Sequence, residues 1–455
     1  MQIAEGKKLS LEGMLTRSYS VKGKYESIIF DGKEEIEVVS EKFFPSGSLV
    51  KVEGTIENFF GILKLKASSM ELIPKEEVEG KYKEIQEKAE ANVPLKEISF
   101  LVNDQMMSQL KDQIILVARK LYAAQKLGRN IVIKFHNDGD GICGALSLSQ
   151  FLKANYIQNN SAVYTVAIAL KDLSFLQHTR APLLVFVDFG AGLESKAGLE
   201  LLKAGGIELV IIDHHPPLEG ISNYASCVLN PWAVEYSESS SLHTAGYLCA
   251  EISRMLGGDS ERYGRISLTS DKSDLLEFSE EIKNAGIVLN YVAAYSSHSS
   301  TLEFYSKVLE DKELFSSILL QAKEKIDELL LLSKHCLKEE KAGKFSVFTI
   351  NLGNIVKKHE FPGLGKSATQ VFEAFIPKDS PSVLVAYGPG TIVLRLNNLA
   401  IENGADGTKI VSLLKENMRD FIENGGGHAR AAALRVKEGF EKNIVDEVIE
   451  ILSTL

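Results

Sequence analysis

Short apolar runs and longer amphipathic stretches alternate along this chain, and their spacing divides it into five parts. Residues 1–75 read as five β segments, LSLEGMLTRSYSV, KYESIIFDG, EEIEVVSE, SLVKVEGTIEN and GILKLKASSMELI. Turn residues separate them at Gly23, Asp31-Gly32, Pro45-Ser46-Gly47 and Asn58 through Gly61, so a small barrel is predicted. In residues 76–128 the period changes to three and four: KEEVEGKYKEIQEKAEA, a break at Pro94, then DQMMSQLKDQIILVARKLYAAQKLG. That pattern predicts a helical connector packed against a sheet.

Residues 129–300 hold three runs that are β-branched and apolar throughout, IVIKFHNDGDG, LLVFVDFG and IELVIIDHH. Runs of this kind are strands buried on both faces, the habit of parallel sheets. The stretches GICGALSLSQFLKANYI and ESKAGLELLKAGG between them read as helices, giving βαβ units. Residues 301–342 include ELFSSILLQAKEKIDELLLLSKHCLKEEKAG, a periodic helix that links domains. Residues 343–455 form a second α/β segment, with strands FSVFTINL, SVLVAYG and TIVLRLN, the helix KIVSLLKENMRDFIEN, and then GGGHARAAALRV. The predicted fold class is α/β: a parallel-sheet domain, a smaller α/β domain and an N-terminal β-barrel.

Each run of the central segment stops at acidic or imidazole residues, which places His136, Asp138, Asp140, Asp188, Asp213, His214 and His215 at strand mouths. The ligand crevice of an open α/β sheet lies beyond those carboxyl ends, so these side chains are expected to meet. Hard oxygen ligands mixed with imidazole suit manganese or magnesium, and this many carboxylates suggests two ions. Ordinary turn and N-cap chemistry explains one such strand end as well, but three together much less so. A further cluster, SLTSDKSDLL, offers Asp271 and Asp274, either as a cap or as ligands from another element. In GGGHARAAA, one glycine serves as the cap of a helix ending near Asn424, while the remaining amides of Gly425, Gly426 and Gly427 and the imidazole of His428 are left for a phosphate. Arg395 ends the TIVLRLN strand, where a surface ion pair would account for it. Asn230-Pro231-Trp232 and SSSLHTAG, containing His243, follow the third run, and His178, His298, His335 and His359 fall outside every motif.

At 455 residues the chain exceeds a single core, and 45% hydrophobic with 25% charged residues is ordinary for a globular protein. A net charge of -10 excludes a generally basic surface, so any nucleic-acid contact must be a local groove. Four cysteines without CxxC spacing fit a reducing interior. The N-terminus has no apolar core, and no run approaches the ~20 residues that span a bilayer. A cytoplasmic protein with no membrane partner is expected.

These motifs resemble those of the DHH phosphoesterase superfamily: HxDxDG at His136 to Gly141, an aspartate before glycine at Asp188, DHH at Asp213 to His215, and GGGH at Gly425 to His428, the mark of its DHHA1 domain. The five-stranded segment resembles an OB-fold, and its pairing with both modules resembles the RecJ-like branch, including archaeal RecJ-like nucleases of the Hef-associated type. OB barrels stack single strands on aromatics along a basic groove; here Tyr19, Tyr25, Phe30, Phe43, Phe44, Phe59 and Phe60 are available with Lys22, Lys24, Lys51, Lys64 and Lys66. The resemblance implies one manganese held by His136, Asp138 and Asp188, and a second by Asp140, Asp188, His214 and Asp271, with Asp188 bridging. It implies that Asp213 orients a histidine, that His215 meets the scissile phosphate, and that Arg395, the three glycines and His428 contact substrate. The implied activity is a two-metal exonuclease on single-stranded DNA or RNA in repair or replication, with a helicase or replication factor as partner. The alternatives are an oligoribonuclease or cyclic-dinucleotide phosphodiesterase, and a catalytically silent scaffold.

Overall fold

A computed structural model describes residues 4–21, 23–296, 301–357 and 360–455; Lys22, His298 and His359 lie outside the described residues. The strands β1 (Lys8–Val21), β2 (Lys24–Phe30), β3 (Glu35–Ser40), β4 (Leu49–Phe59) and β5 (Ile62–Leu72) close into a barrel in the order β1-β2-β3-β5-β4. Met14 sits where β1 changes partner, opposite Phe30 on one side and Leu49 on the other. Leu15, Ile29, Val38, Val50, Val52, Ile56 and Leu65 fill the interior. The expected basic groove is largely neutralised: Lys64 pairs with Glu26 and Glu37, Lys66 with Glu57 and Lys51 with Glu53. Of the aromatics, Phe30 is buried, Phe60 is fully exposed at the β4–β5 turn, and Tyr25 lies against Phe43 at 5.3 Å.

Two helices follow, α1 (Val78–Ala91) and α2 (Gln105–Lys126). Met14, Phe30 and Leu49 of the barrel pack on Ile85 and Ala89 of α1 and Ala123 of α2. Asp104 caps α2 by accepting from the Met107 amide at 2.8 Å. The stripe Met107, Leu110, Ile114, Val117, Ala118 and Leu121 then enters the core of the central sheet, so α2 is part of that core as well as a connector.

The central sheet comprises β6 (Ile131–His136), β7 (Asn155–Asn159), β8 (Leu183–Val187), β9 (Glu208–Ile212) and β10 (Cys227–Leu229), parallel throughout in the order β10-β9-β8-β6-β7. Chain direction across the sheet reverses between β6 and β8, which places the crevice at their carboxyl ends. The helices are α3 (Gly139–Ser149), α4 (Val166–Leu176), α5 (Lys196–Ala204), α6 (Ala245–Met255), α7 (Glu261–Ser270), α8 (Glu280–Tyr295), α9 (Leu302–Glu310) and α10 (Lys312–Cys336). Alternate strand residues face opposite sides: Ile131, Ile133 and Phe135 join α2, α3 and α6, whereas Val132, Leu184 and Phe186 join α4 and α5. The residues KANYI, expected to end a helix, instead lead into β7. As an edge strand, β7 buries only part of its residues and shows no apolar run, and β10 is only three residues long.

A six-stranded sheet follows, β11 (Lys338–Ala342), β12 (Phe345–Asn351), β13 (Ser382–Gly388), β14 (Thr391–Leu396), β15 (Ile422–His428) and β16 (Ala431–Val436), ordered β11-β12-β13-β14-β16-β15. The helices α11 (Leu364–Phe375), α12 (Asn398–Glu402), α13 (Gly407–Asn417) and α14 (Glu441–Thr454) complete it. Two expectations are corrected here. KEEKA was expected in the linker helix but forms the exposed edge strand β11, paired with β12. The helix expected to reach Asn424 ends at Asn417, and Gly425, Gly426 and Gly427 lie in β15 opposite Leu434, Ala433 and Ala432. None of these glycines caps a helix. Gly427 has φ +141°, and a Cβ there would meet the Ala431 carbonyl oxygen at 2.4 Å, so a strand so closely paired requires glycine.

Glu208 opens β9 and accepts from Lys120 of α2 and from Arg129, each at 2.6 Å. Burial opposes its ionisation, but Arg129 and Lys120 outweigh burial and hold the carboxyl down at about 2. A folded-state pKa below the unfolded one gives stability that is full above about pH 4.5 and is lost as pH falls through about 2. Glu208→Gln is expected to cost about 2 kcal/mol at pH 7 and clearly less at pH 3. Denaturant unfolding at the two pH values measures this, and an equal loss at both would refute the ion-pair account.

Candidate metal centre

Two turns of backbone chemistry shape the end of β6. Asp138 caps α3, its Oδ1 accepting from the Gly141 amide at 3.1 Å, and Asp140 lies fully buried in the first helical turn. Asp140 reaches the start of α6, where Oδ1 accepts from the Gly246 amide at 2.8 Å and the Ser267 hydroxyl, and Oδ2 from the Ala245 amide at 3.1 Å. Both glycines are forced by close approach. A Cβ on Gly141 would meet the His136 carbonyl oxygen at 2.3 Å, and one on Gly246 the Asp140 carbonyl oxygen at 2.5 Å.

Asp188 follows β8 with φ +64°, a left-handed conformation that aspartate tolerates better than most residues. Its amide still donates to the Ile212 carbonyl at 2.9 Å, so the residue is fixed to β9 while its side chain turns into the crevice. Oδ2 lies 3.3 Å from His136 Nδ1; Oδ1 lies 3.3 Å from His214 Nε2 and 3.7 Å from His215 Nδ1.

After β9, Asp213 gives its oxygens to the loop that follows. Oδ1 accepts from the His214 amide at 2.8 Å, the His215 amide at 3.1 Å and His215 Nδ1 at 2.8 Å, and Oδ2 from the Ala191 amide at 3.2 Å. His214 Nδ1 donates to the Ser241 carbonyl at 2.6 Å, which leaves Nε2 as the lone-pair nitrogen. That nitrogen faces Asp188, Asp271 at 3.6 Å and Asp140 at 3.7 Å. Asn230 and Trp232 are buried and donate to the carbonyls of His215 and His214, each at 2.9 Å, so they support the DHH turn. His243 is also buried and bonds Asp104 at 2.7 Å, tying the α6 loop to the cap of α2.

The result is three overlapping groups: His136, Asp138 and Asp188; Asp140, His214 and Asp271; and Asp188, His214 and His215, each with its ligand atoms within 4.8 Å of one another. Asp274, three residues beyond Asp271, lines the same cleft but belongs to none of these groups. His136 Nδ1, both oxygens of Asp188 and His214 Nε2 are buried without a hydrogen-bond partner. Four such atoms converging on one point fit divalent cations, since buried polar atoms otherwise find partners. Electrostatics agrees. Burial, then repulsion from Asp188, holds Asp140 well above the usual carboxyl range, and burial with repulsion from Asp138 raises Asp271. Burial opposes charge on His136 and His214, but the surrounding carboxylates outweigh it and raise both imidazoles. The crowd of anions lacks the positive charge that cations would supply.

The second domain closes the opposite side of a cleft of about 1170 Å³, lined by His214, His215 and Asp271 from one wall and Lys366, Arg395 and His428 from the other. Arg395 donates to the Thr369 hydroxyl at 3.1 Å, the Leu394 carbonyl at 2.9 Å and the Gly365 carbonyl at 3.3 Å, and burial lowers its pKa to about 10. Arg395 is half-buried and lines the cleft, and among the described residues these acceptors are a hydroxyl and carbonyls rather than the carboxylate of a surface ion pair. His428 lines the cleft as well, at the end of β15, where Gly425, Gly426 and Gly427 precede it. Ser241 and Gly246 lie in the segment SSSLHTAG and Ser267 opens SLTSDKSDLL, but their sequence context gave them no role of their own; Asn290 and Lys366 stand in no motif.

Residues 130–270 match the DHH family, N-terminal domain. This segment is a DHH domain. The family is one of metal-dependent phosphoesterases, and the cluster of carboxylates and imidazoles suits that chemistry. A curated relative, the uncharacterized protein MJ1198 of Methanocaldococcus jannaschii, is 25% identical over 482 residues, covering 90% of this chain and 63% of the relative. The chain therefore spans less than two thirds of that protein's length. A solved DHH-domain structure, described as a member of the s1p family of ribosomal proteins, superposes with TM-score 0.75 at 24% identity over 84% of this chain and 100% of its own, and so shares the fold. RecJ from Thermus thermophilus in complex with Mn2+ is more distant, at TM-score 0.48 and 15% identity over 80% of this chain and 56% of its own. Among the described residues no helix is long and apolar enough to cross a membrane.

If Asp213 acts by fixing the two histidines, Asp213→Ala should weaken manganese binding by about 10- to 100-fold, whereas Asp274→Ala should leave it within about twofold. Calorimetric titration with manganese chloride checks both. A larger loss from Asp274 than from Asp213 would reverse the assignment of Asp271.

Proposed function

We propose that this chain is a two-metal phosphodiesterase that removes nucleotides from an end of single-stranded nucleic acid, DNA or RNA. The observation that carries the reading is Asp188, whose two buried oxygens lack hydrogen-bond partners and lie 3.3 Å from an imidazole on either side. His136, Asp138 and Asp188 would hold one cation, and Asp140, Asp188, His214 and Asp271 a second, with manganese or magnesium the suitable metals. Cations bound there supply Lewis acidity that lowers the pKa of a water and offsets charge on phosphoryl oxygens.

The chain's own residues do the rest. Asp213 holds His215 by Nδ1, leaving Nε2 available to a phosphate oxygen or the leaving oxygen in the cleft. Arg395 and His428 line the facing wall and would bind phosphates and keep the strand end in register. A cleft of about 1170 Å³ exceeds the ~300–1,000 Å³ of ordinary small-ligand pockets, which favours a polymer over a dinucleotide. The barrel offers Tyr25, Phe43, Tyr19 and Phe60 for base stacking, and with Lys51, Lys64 and Lys66 in ion pairs its grip would come from stacking more than from charge. Such an activity suits a cytoplasmic repair or replication setting in which a helicase or replication factor presents the strand.

Digestion of end-labelled DNA and RNA strands, and of a dinucleotide, with manganese, magnesium or chelator tests the reading. Mononucleotide release from the strands is expected only with metal, and Asp188→Ala should lower it by about 100-fold or more. Undiminished hydrolysis by that variant or in chelator would sink the assignment, and preference for the dinucleotide would move it to short substrates.

A further inference from the structure

The wall opposite the metal cluster contributes one cation that reaches the ligands themselves. Lys366 lies in the first turn of α11, in the second domain, yet its Nζ sits 3.8 Å from Asp138 Oδ2 and donates to Asn290 Oδ1. Asn290 also accepts from the Gly139 amide at 2.9 Å, so the lysine is docked on the loop that carries Asp138. The same oxygen, Asp138 Oδ2, faces His136 Nδ1 at 3.1 Å within the His136, Asp138 and Asp188 group. A cation in that group and the Lys366 ammonium would therefore compete for one carboxylate oxygen a few ångström apart, where like charges repel strongly. The lysine side chain is 40% exposed to the cleft, so it can turn without disturbing a core.

Two features show where the ammonium can go. α11 starts at Gly363 with no side chain capping its first amides, and a Cβ on Gly363 or Gly365 would meet nothing within 4 Å. Open space thus lies before a helix start whose free amides favour an anion. Lysine binds phosphate as a mobile point charge.

Resting on the phosphodiesterase reading above, we propose that Lys366 is a phosphate-binding residue supplied by the second domain: its Nζ rests on Asp138 and Asn290 until cations take Asp138, and then transfers to an anionic oxygen of the substrate beside the start of α11. The lysine would tie substrate binding to metal loading, because only the loaded cluster releases it.

Calorimetry on the full chain separates this from a structural latch between domains. Manganese chloride titrated into metal-free protein should bind about threefold or more tighter to Lys366→Met than to wild type, since a competing charge is gone. Thymidine 5′-monophosphate titrated into manganese-loaded protein should bind about tenfold weaker to Lys366→Met, with Lys366→Arg staying within about threefold of wild type. Equal nucleotide affinity in wild type and Lys366→Met overturns the proposal whatever the metal titration gives, and so does a wild type that binds no nucleotide. A loss in Lys366→Arg as complete as in Lys366→Met also overturns it, because charge would then not be the cause. Strand digestion reads the underlying function separately: a loaded wild type that cuts no strand while its nucleotide binding depends on Lys366 would end the nuclease reading and leave this one standing.

Discussion

Mutual repulsion among Asp138, Asp140, Asp188 and Asp271 is the constraint on which the rest of the centre depends. Burial in a parallel-sheet crevice raises the cost of each charge, and the protein answers with directed donors for some oxygens and none for others. Asp140 receives two amides from α6 and a hydroxyl, and Asp213 receives three amides and an imidazole, so both are satisfied within the chain. Asp188 receives nothing, and its left-handed backbone holds both oxygens where two imidazoles already stand. That inequality sets Asp188 apart from Asp213, while Asp140 both accepts from α6 and faces His214 and Asp271.

The sheet explains why such a site can exist. Reversal of strand order between β6 and β8 opens a crevice at their carboxyl ends, and the two strands deliver His136 and Asp188 to it. Rigidity comes from behind: α2 buries its stripe in the same core, and His243 clamps the cap of α2 to the loop before α6, whose amides hold Asp140. The second domain then forms the facing wall. Lys366, Arg395 and His428 face the cluster, and Lys272 pairs with Glu373 of α11 at 2.7 Å across the boundary.

Local chemistry made much of this legible in the chain itself. Five turn-separated β segments, doubly apolar strands and the acidic or imidazole residues at their ends are properties of adjacent residues, and a strand buried on both faces declares itself without reference to its neighbours. Hence the barrel, the parallel sheet and the convergence of His136, Asp138, Asp140, Asp188 and His214 followed from the pattern. The pattern failed where burial is one-sided or pairing is remote: β7 buries only part of its residues, β11 is almost wholly charged, and β15 is a glycine strand defined by its partner β16.

Sequence alone thus fixed which residue types stand at which strand ends, because hydrophobic period and turn chemistry act over a few positions. Which oxygens remain unsatisfied was decided by the tertiary structure, since the donors to Asp140 come from more than a hundred residues away and those to Asp213 depend on how one loop folds back. The placement of Asp271 rather than Asp274 in the cluster, and of Lys366 against Asp138, likewise waited on the packing of α7 and α11. Coulombic and hydrogen-bonding distances of a few ångström are set by how elements pack, and no spacing along the chain encodes them.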